Sequence, residues 1–126
     1  MSSSLPRPTD SELNILQVLW RTGAATVKQV QQKLGEGTGY TTVLKFLQIM
    51  TEKGLVRRDE SERAHVYRAT LSEDETQRQL VSGLLKRAFG GSTSRLVLQA
   101  LASRKTSAND LAEIRRLIDK LSREKS

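Results

Sequence analysis

Reactive side chains are scarce in this chain, and spacing decides what they can do. His65 is the one histidine, and there is no cysteine. One isolated imidazole makes neither a metal site nor a catalytic triad, so a structural or phosphate-side role suits it better. Zero cysteines also exclude disulfides and thiol catalysis. Ser122 and Lys125 match a Ser-x-x-Lys spacing, but its companion signatures are missing and the pair lies in the terminal tail, so the match is chance. Gly35-Glu-Gly-Thr-Gly39 is glycine-rich, yet fits neither G-x-x-x-x-G-K-S/T nor G-x-G-x-x-G, and reads as a flexible connection. No enzyme activity, cofactor or metal is expected. What remains is noncovalent chemistry. Tyr40, Thr41, Thr42, Lys45 and Gln48 gather hydroxyls, methyls, an ammonium and an amide in one short stretch, a set suited to phosphate oxygens and base edges.

A helix from Tyr40 to about Lys53 must position that set. Val43, Leu47 and Met50 recur at i, i+4 and i+7 as an apolar stripe, while Thr41, Lys45, Gln48 and Glu52 fall on another side. Gly39 frees the entry, and Gly54 stands where a left-handed residue usually ends a helix. Unpaired amides of the first turn would then grip a phosphate near Tyr40, Thr41 and Thr42. Two earlier helices are announced by capping boxes, Thr9-Asp-Ser-Glu12 and Thr26-Val-Lys-Gln29. The first buries Leu13, Ile15, Leu16, Leu19 and Trp20 and ends near Gly23; the second turns Val27, Val30 and Leu34 inward. After Gly54, Leu55-Val-Arg-Arg58 and His65-Val-Tyr-Arg68 read as two short strands around the polar turn Asp59–Ala64. Arg57, Arg58 and Arg63 can meet phosphates or a minor groove, or can be neutralised by Asp59, Glu60 and Glu62 beside them. Three helices and a two-stranded ribbon are the plan of a winged helix-turn-helix DNA reader.

The second half repeats the cap-and-stripe logic three times. Ser72 opens a helix with Leu80, Val81, Leu84, Leu85 and Ala88 that Gly90-Gly91 breaks. Ser92 opens one bearing Leu96, Val97, Leu98 and Leu101, and Ser107 one bearing Leu111, Ile114, Leu117, Ile118 and Leu121. The chain is therefore mostly α, with a small β wing: a winged-helix domain over residues 1–71, then a three-helix domain over 72–126. About fifty residues with three apolar stripes close no good core alone. Two copies clasped together do, with Leu80, Leu84, Leu96, Leu101, Ile114, Leu117, Ile118 and Leu121 at the interface; the alternative is that these helices fold back over residues 9–71.

Composition sets outer bounds. A net charge of +7 and a pI near 10.1 suggest a polyanionic partner. That charge is spread, with ten Lys/Arg against seven Asp/Glu in residues 1–71 and eleven against seven in 72–126. The layout, rather than the total, carries the argument. Aromatics at 4% disfavour a base-stacking single-strand platform. No apolar run approaches the ~20 residues of a membrane span, and the first eight residues lack an apolar signal core and read as a loose arm. The expected location is the cytoplasm, with no direct membrane binding.

The succession P-T-D-S-E-L-x-I-L-x-x-L-W (Pro8–Trp20), T-V-x-x-V (Thr26–Val30), Y-T-T-V (Tyr40–Val43), E-K-G-L-V-x-R (Glu52–Arg58) and H-V-Y-R-A (His65–Ala69) resembles the penicillinase-repressor family of the BlaI/MecI type. The resemblance covers nearly the whole chain. It implies a bacterial transcriptional repressor, a homodimer on palindromic double-stranded operator DNA, with many relatives controlling antibiotic-resistance genes. It places Tyr40, Thr41, Thr42, Lys45 and Gln48 on the recognition helix, leaves Phe46 and Ile49 to pack, and lets Arg57, Arg58 and Arg63 track the backbone. Sensor-linked relatives are relieved when a membrane sensor protease pathway cuts an Asn-Phe bond in the dimerisation domain. The corresponding pair here is Gln99-Ala100. Copper-responsive relatives use a cysteine cluster, a route excluded in a chain without cysteine. The alternative function is a winged-helix protein-interaction module without specific DNA binding, since fold alone does not fix function.

Overall fold

The computed structural model describes residues 6–125. Residues 1–5 of the expected N-terminal arm lie outside them. The order is α1 (Asp10–Thr22), α2 (Val27–Leu34), α3 (Tyr40–Lys53), β1 (Val56–Asp59), β2 (Val66–Ala69), α4 (Glu73–Ala88), α5 (Thr93–Ser103) and α6 (Ala108–Glu124). The chain divides into two compact units between Val81 and Ser82, within α4.

Most helix starts are locked by their own side chains. Thr9 Oγ1 accepts from Glu12 N at 3.2 Å while Thr9 N donates to Glu12 Oε1 at 2.9 Å. Thr26 with Gln29 and Ser72 with Glu75 form the same reciprocal box, and Ser92 and Ser107 cap α5 and α6. α3 differs. Its N-cap is Gly39, which offers no side chain, so the first-turn amides meet no side-chain cap. At the other end Gly54 adopts φ 84°, ψ 7° and its N–H reaches Met50 O and Thr51 O, the left-handed stop that lets the chain leave directly into the ribbon.

The first unit closes over one core. Ile15, Leu16 and Leu19 of α1, Val27 and Val30 of α2, and Val43, Leu47 and Met50 of α3 are buried together with Leu55, Val56 and Tyr67. Burying each such side chain is worth roughly 1.5–3 kcal/mol, so the stripe, rather than any one polar contact, fixes α3 on α1 and α2. Trp20 is half-buried against this core, and its Nε1 donates to Leu71 O at 3.0 Å, tying α1 to the exit of β2.

The ribbon is antiparallel, pairing Val56 with Ala69, Arg57 with Arg68, Arg58 with Tyr67 and Asp59 with Val66. Both strands begin one residue later than the sequence suggests. Leu55 N donates to Met50 O at 2.9 Å, so Leu55 still belongs to the helix exit. Ala25 adds a third edge: it exchanges N–H···O bonds of 3.1 and 2.8 Å with Tyr67. A single bridging residue leaves no periodicity for a sequence reading to detect.

In the second unit, no described residue of 82–125 is buried. Among the described residues, no helix is long and apolar enough to cross a membrane, and no group of acidic or histidine side chains is placed to hold a metal ion.

Candidate nucleic-acid interface

The apolar stripe of α3 decides which side chains face outward. With Val43, Leu47 and Met50 fully buried, helical geometry turns Thr41, Thr42, Lys45 and Gln48 away from the core, and all four are exposed. Tyr40, at the uncapped entry, is exposed too. Five predicted site residues thus share one helix, four of them on its outward face, and the amides of Tyr40, Thr41 and Thr42 have no acceptor among the described residues. That terminus carries the positive end of the helix dipole and favours an anion.

The ribbon separates the predicted arginines. Register puts Arg58 on the face shared with Tyr67 and Val56, and Arg57 on the opposite face beside Arg68. Arg58 is spoken for: its Nη2 lies 2.7 Å from Glu60 Oε2, and that carboxylate, then the Tyr67 hydroxyl, raises its pKa. Self-neutralisation therefore describes Arg58. Arg57 and Arg63 have no acidic partner among the described residues. Asp59 is engaged by the Ser61 N–H at 2.9 Å, which holds its carboxyl below the usual range with help from Arg68.

Arg68 is a cation the sequence reading left out of the site. It sits directly opposite Arg57, and like charges across a ribbon are unfavourable unless an anion lies over them. The signal was register, invisible until the strand boundaries are known. A groove of about 380 Å³ brings Lys28 at the start of α2, Tyr40 of α3, and Arg63 and His65 of the wing turn to one opening. His65 Nε2 is 3.9 Å from Glu60 Oε1.

The apolar side chains expected at a dimer interface differ in exposure. Leu84, Leu117, Ile118 and Leu121 are exposed, while Leu80, Leu96, Leu101 and Ile114 are half-buried. Val81, Leu98 and Leu111 are further exposed apolar side chains. Gln99 and Ala100 lie exposed within α5.

Comparison with known proteins gives a coherent set. The family model described as penicillinase repressor matches residues 8–120. The penicillinase repressor of Bacillus licheniformis is 20% identical over 117 residues, 91% of each chain. The transcriptional regulator BlaI of Mycobacterium tuberculosis is 37% identical over 86 residues, which is 66% of this chain and 59% of that one. The Bacillus licheniformis BlaI monomeric form, solved in complex with the blaP half-operator, superposes with TM-score 0.50 at 22% identity, over 57% of this chain and 90% of that one. A MarR family protein from Bacillus stearothermophilus superposes with TM-score 0.51 at 22% identity, over 94% and 76% respectively. These two likenesses are of fold.

Proposed function

We propose, since the chain belongs to the penicillinase repressor family of DNA-binding transcriptional repressors, that it works as a homodimer laying the outward face of α3 in the major groove of each half of a palindromic operator. The family is one of repressors, not of enzymes. The observation that carries this reading is α3 itself: a polar outward face on a helix whose N-terminus has no side-chain cap. The Tyr40, Thr41 and Thr42 amides would receive a phosphate, Lys45 and Gln48 would meet base edges, and Arg57, Arg63 and Arg68 would follow the backbone. Occupancy of a promoter by such a dimer blocks polymerase. Related recognition helices would sit about 34 Å apart along the duplex, or a multiple of it.

Binding is tested by titrating the purified protein into duplex from its own upstream intergenic region against random duplex at two salt concentrations. A two-fold footprint outcompeting random DNA by about 10³ is expected. The logarithm of affinity should fall with the logarithm of salt by roughly 0.9 per phosphate neutralised. Lys45→Ala should cost about 1–3 kcal/mol on the selected site if it reads a base. No duplex binding at low salt would instead favour a protein-interaction module.

Relief is proposed to be proteolytic, with the Gln99-Ala100 peptide as the cut. A break there removes Leu101 and the whole of α6 from the association face, so half-sites would be bound singly and weakly. Co-expression with the cognate membrane sensor metalloprotease under induction is expected to yield a fragment beginning at Ala100, read by intact mass. A chain that stays whole under induction sinks this route. The regulated genes are proposed to be of the β-lactam resistance type.

A further inference from the structure

Ile49 breaks the expectation that the apolar residues of α3 pack inward. It is 36% exposed. Among the described residues before Val81, Tyr40 and Ile49 are the large apolar side chains left exposed, and both belong to α3. Phe46, expected to pack as well, does so in part against the core.

The placement of Ile49 is specific. It follows Lys45 by one helical turn and lies on the same outward face. With Thr41, Thr42, Lys45 and Phe46 it lines one shallow depression on that face. An exposed β-branched side chain pressed against polar base-edge atoms would strip those atoms of water without offering a hydrogen bond, so its favourable partner is another apolar group. Base edges in the major groove display one apolar group, the C5 methyl of thymine. Ile49 stands about 12 Å beyond Thr41 along the helix axis, so it addresses a different base pair from the N-terminal threonines.

We infer that Ile49 is a specificity-determining residue that reads a thymine methyl, with Phe46 forming the inner wall of the contact. This rests on the assignment of α3 as the recognition helix. Ile49 is not among the buried core residues, so Ile49→Ala should keep the fold, which a cooperative thermal transition close to that of wild type checks.

The probe is the duplex recovered by selecting random-sequence DNA on the wild-type protein, with each thymine replaced in turn by deoxyuridine, which lacks only the methyl. Wild type is expected to lose roughly fourfold in affinity at one symmetric pair of thymines, the worth of one buried methyl-sized group. Ile49→Ala should bind the unmodified duplex on the order of tenfold more weakly and lose the methyl effect at that pair, while keeping it at any thymine read by Thr41 or Thr42. If Ile49→Ala retains every methyl effect of the wild type, or wild type shows none, the inference falls while the repressor reading stands. If selection returns no preferred sequence, the recognition-helix assignment fails first.

Discussion

Ile118→Glu is expected to convert the protein from dimer to monomer in sedimentation equilibrium, and to weaken its binding to a two-fold operator by about 10²–10⁴. Ile118 is 52% exposed in α6, flanked by the exposed Leu117 and Leu121, with the exposed Leu111 about two turns behind. Leu98 of α5 is 65% exposed. Soluble monomers seldom show apolar surface in such concentration, and here no described residue of 82–125 is buried at all. A second copy is the partner proposed to cover these stripes. A carboxylate at Ile118 would then be buried without a partner at the centre of the interface, whereas in the isolated chain it stays in water and costs little. The effect should therefore fall on association and leave folding largely alone. Two controls sharpen this. Affinity for an isolated half-site should be unchanged in the variant, because α3 is untouched. The melting temperature of wild type should rise with protein concentration, and that of the variant should not. A variant that still sediments as a dimer would place the interface elsewhere.

Where local rules act alone, the sequence is a good guide to this fold. The capping boxes at Thr9, Thr26 and Ser72 and the stop at Gly54 are set by hydrogen bonds within four residues, and all appear as expected. The stripe Val43–Leu47–Met50 is likewise a matter of helical period, and it orients Thr41, Lys45 and Gln48. What escaped is long-range. The Ala25–Tyr67 bridge joins positions 42 residues apart without any pattern. Arg68 enters the site only through register with Arg57. Ile49 is apolar and the resemblance leaves it to pack, but the stripe is already complete without it and its angle on the helix turns it to solvent.

The ion pair between Glu12 and Lys53 is the other long-range feature, joining positions 41 residues apart, and its removal is the second large effect expected. Glu12 is 2% exposed, yet it accepts both the Thr9 amide and the Lys53 ammonium, the latter at 2.9 Å from each carboxylate oxygen. The pair stitches the start of α1 to the end of α3 and so helps set the angle of α3. Lys53→Met would leave a buried carboxylate with only its cap hydrogen bonds. Removing one partner of a fully buried pair costs about 3–5 kcal/mol. Lys53 keeps 30% of its side chain in water, so a loss of about 2–3 kcal/mol at pH 7 is the reasonable expectation. The pH dependence fixes the cause. Burial alone would raise the Glu12 pKa, but the Thr9 amide and then Lys53 overcome it, and the carboxyl lies below its ordinary 4.5. A carboxyl lowered by folding contributes stability that is present above its unfolded value and lost as pH falls through the folded one. Wild type should thus weaken progressively below about pH 4.5 as Glu12 takes up its proton. In Lys53→Met, burial acts with less opposition, so Glu12 protonates at higher pH and the penalty of the stranded charge fades. Urea unfolding at pH 7 and at pH 4 should show the gap between the two proteins narrowing at the lower pH. A gap that is the same at both pH values would mean that Lys53 acts through packing of its stem, and that the charge on Glu12 does not hold α3 in place.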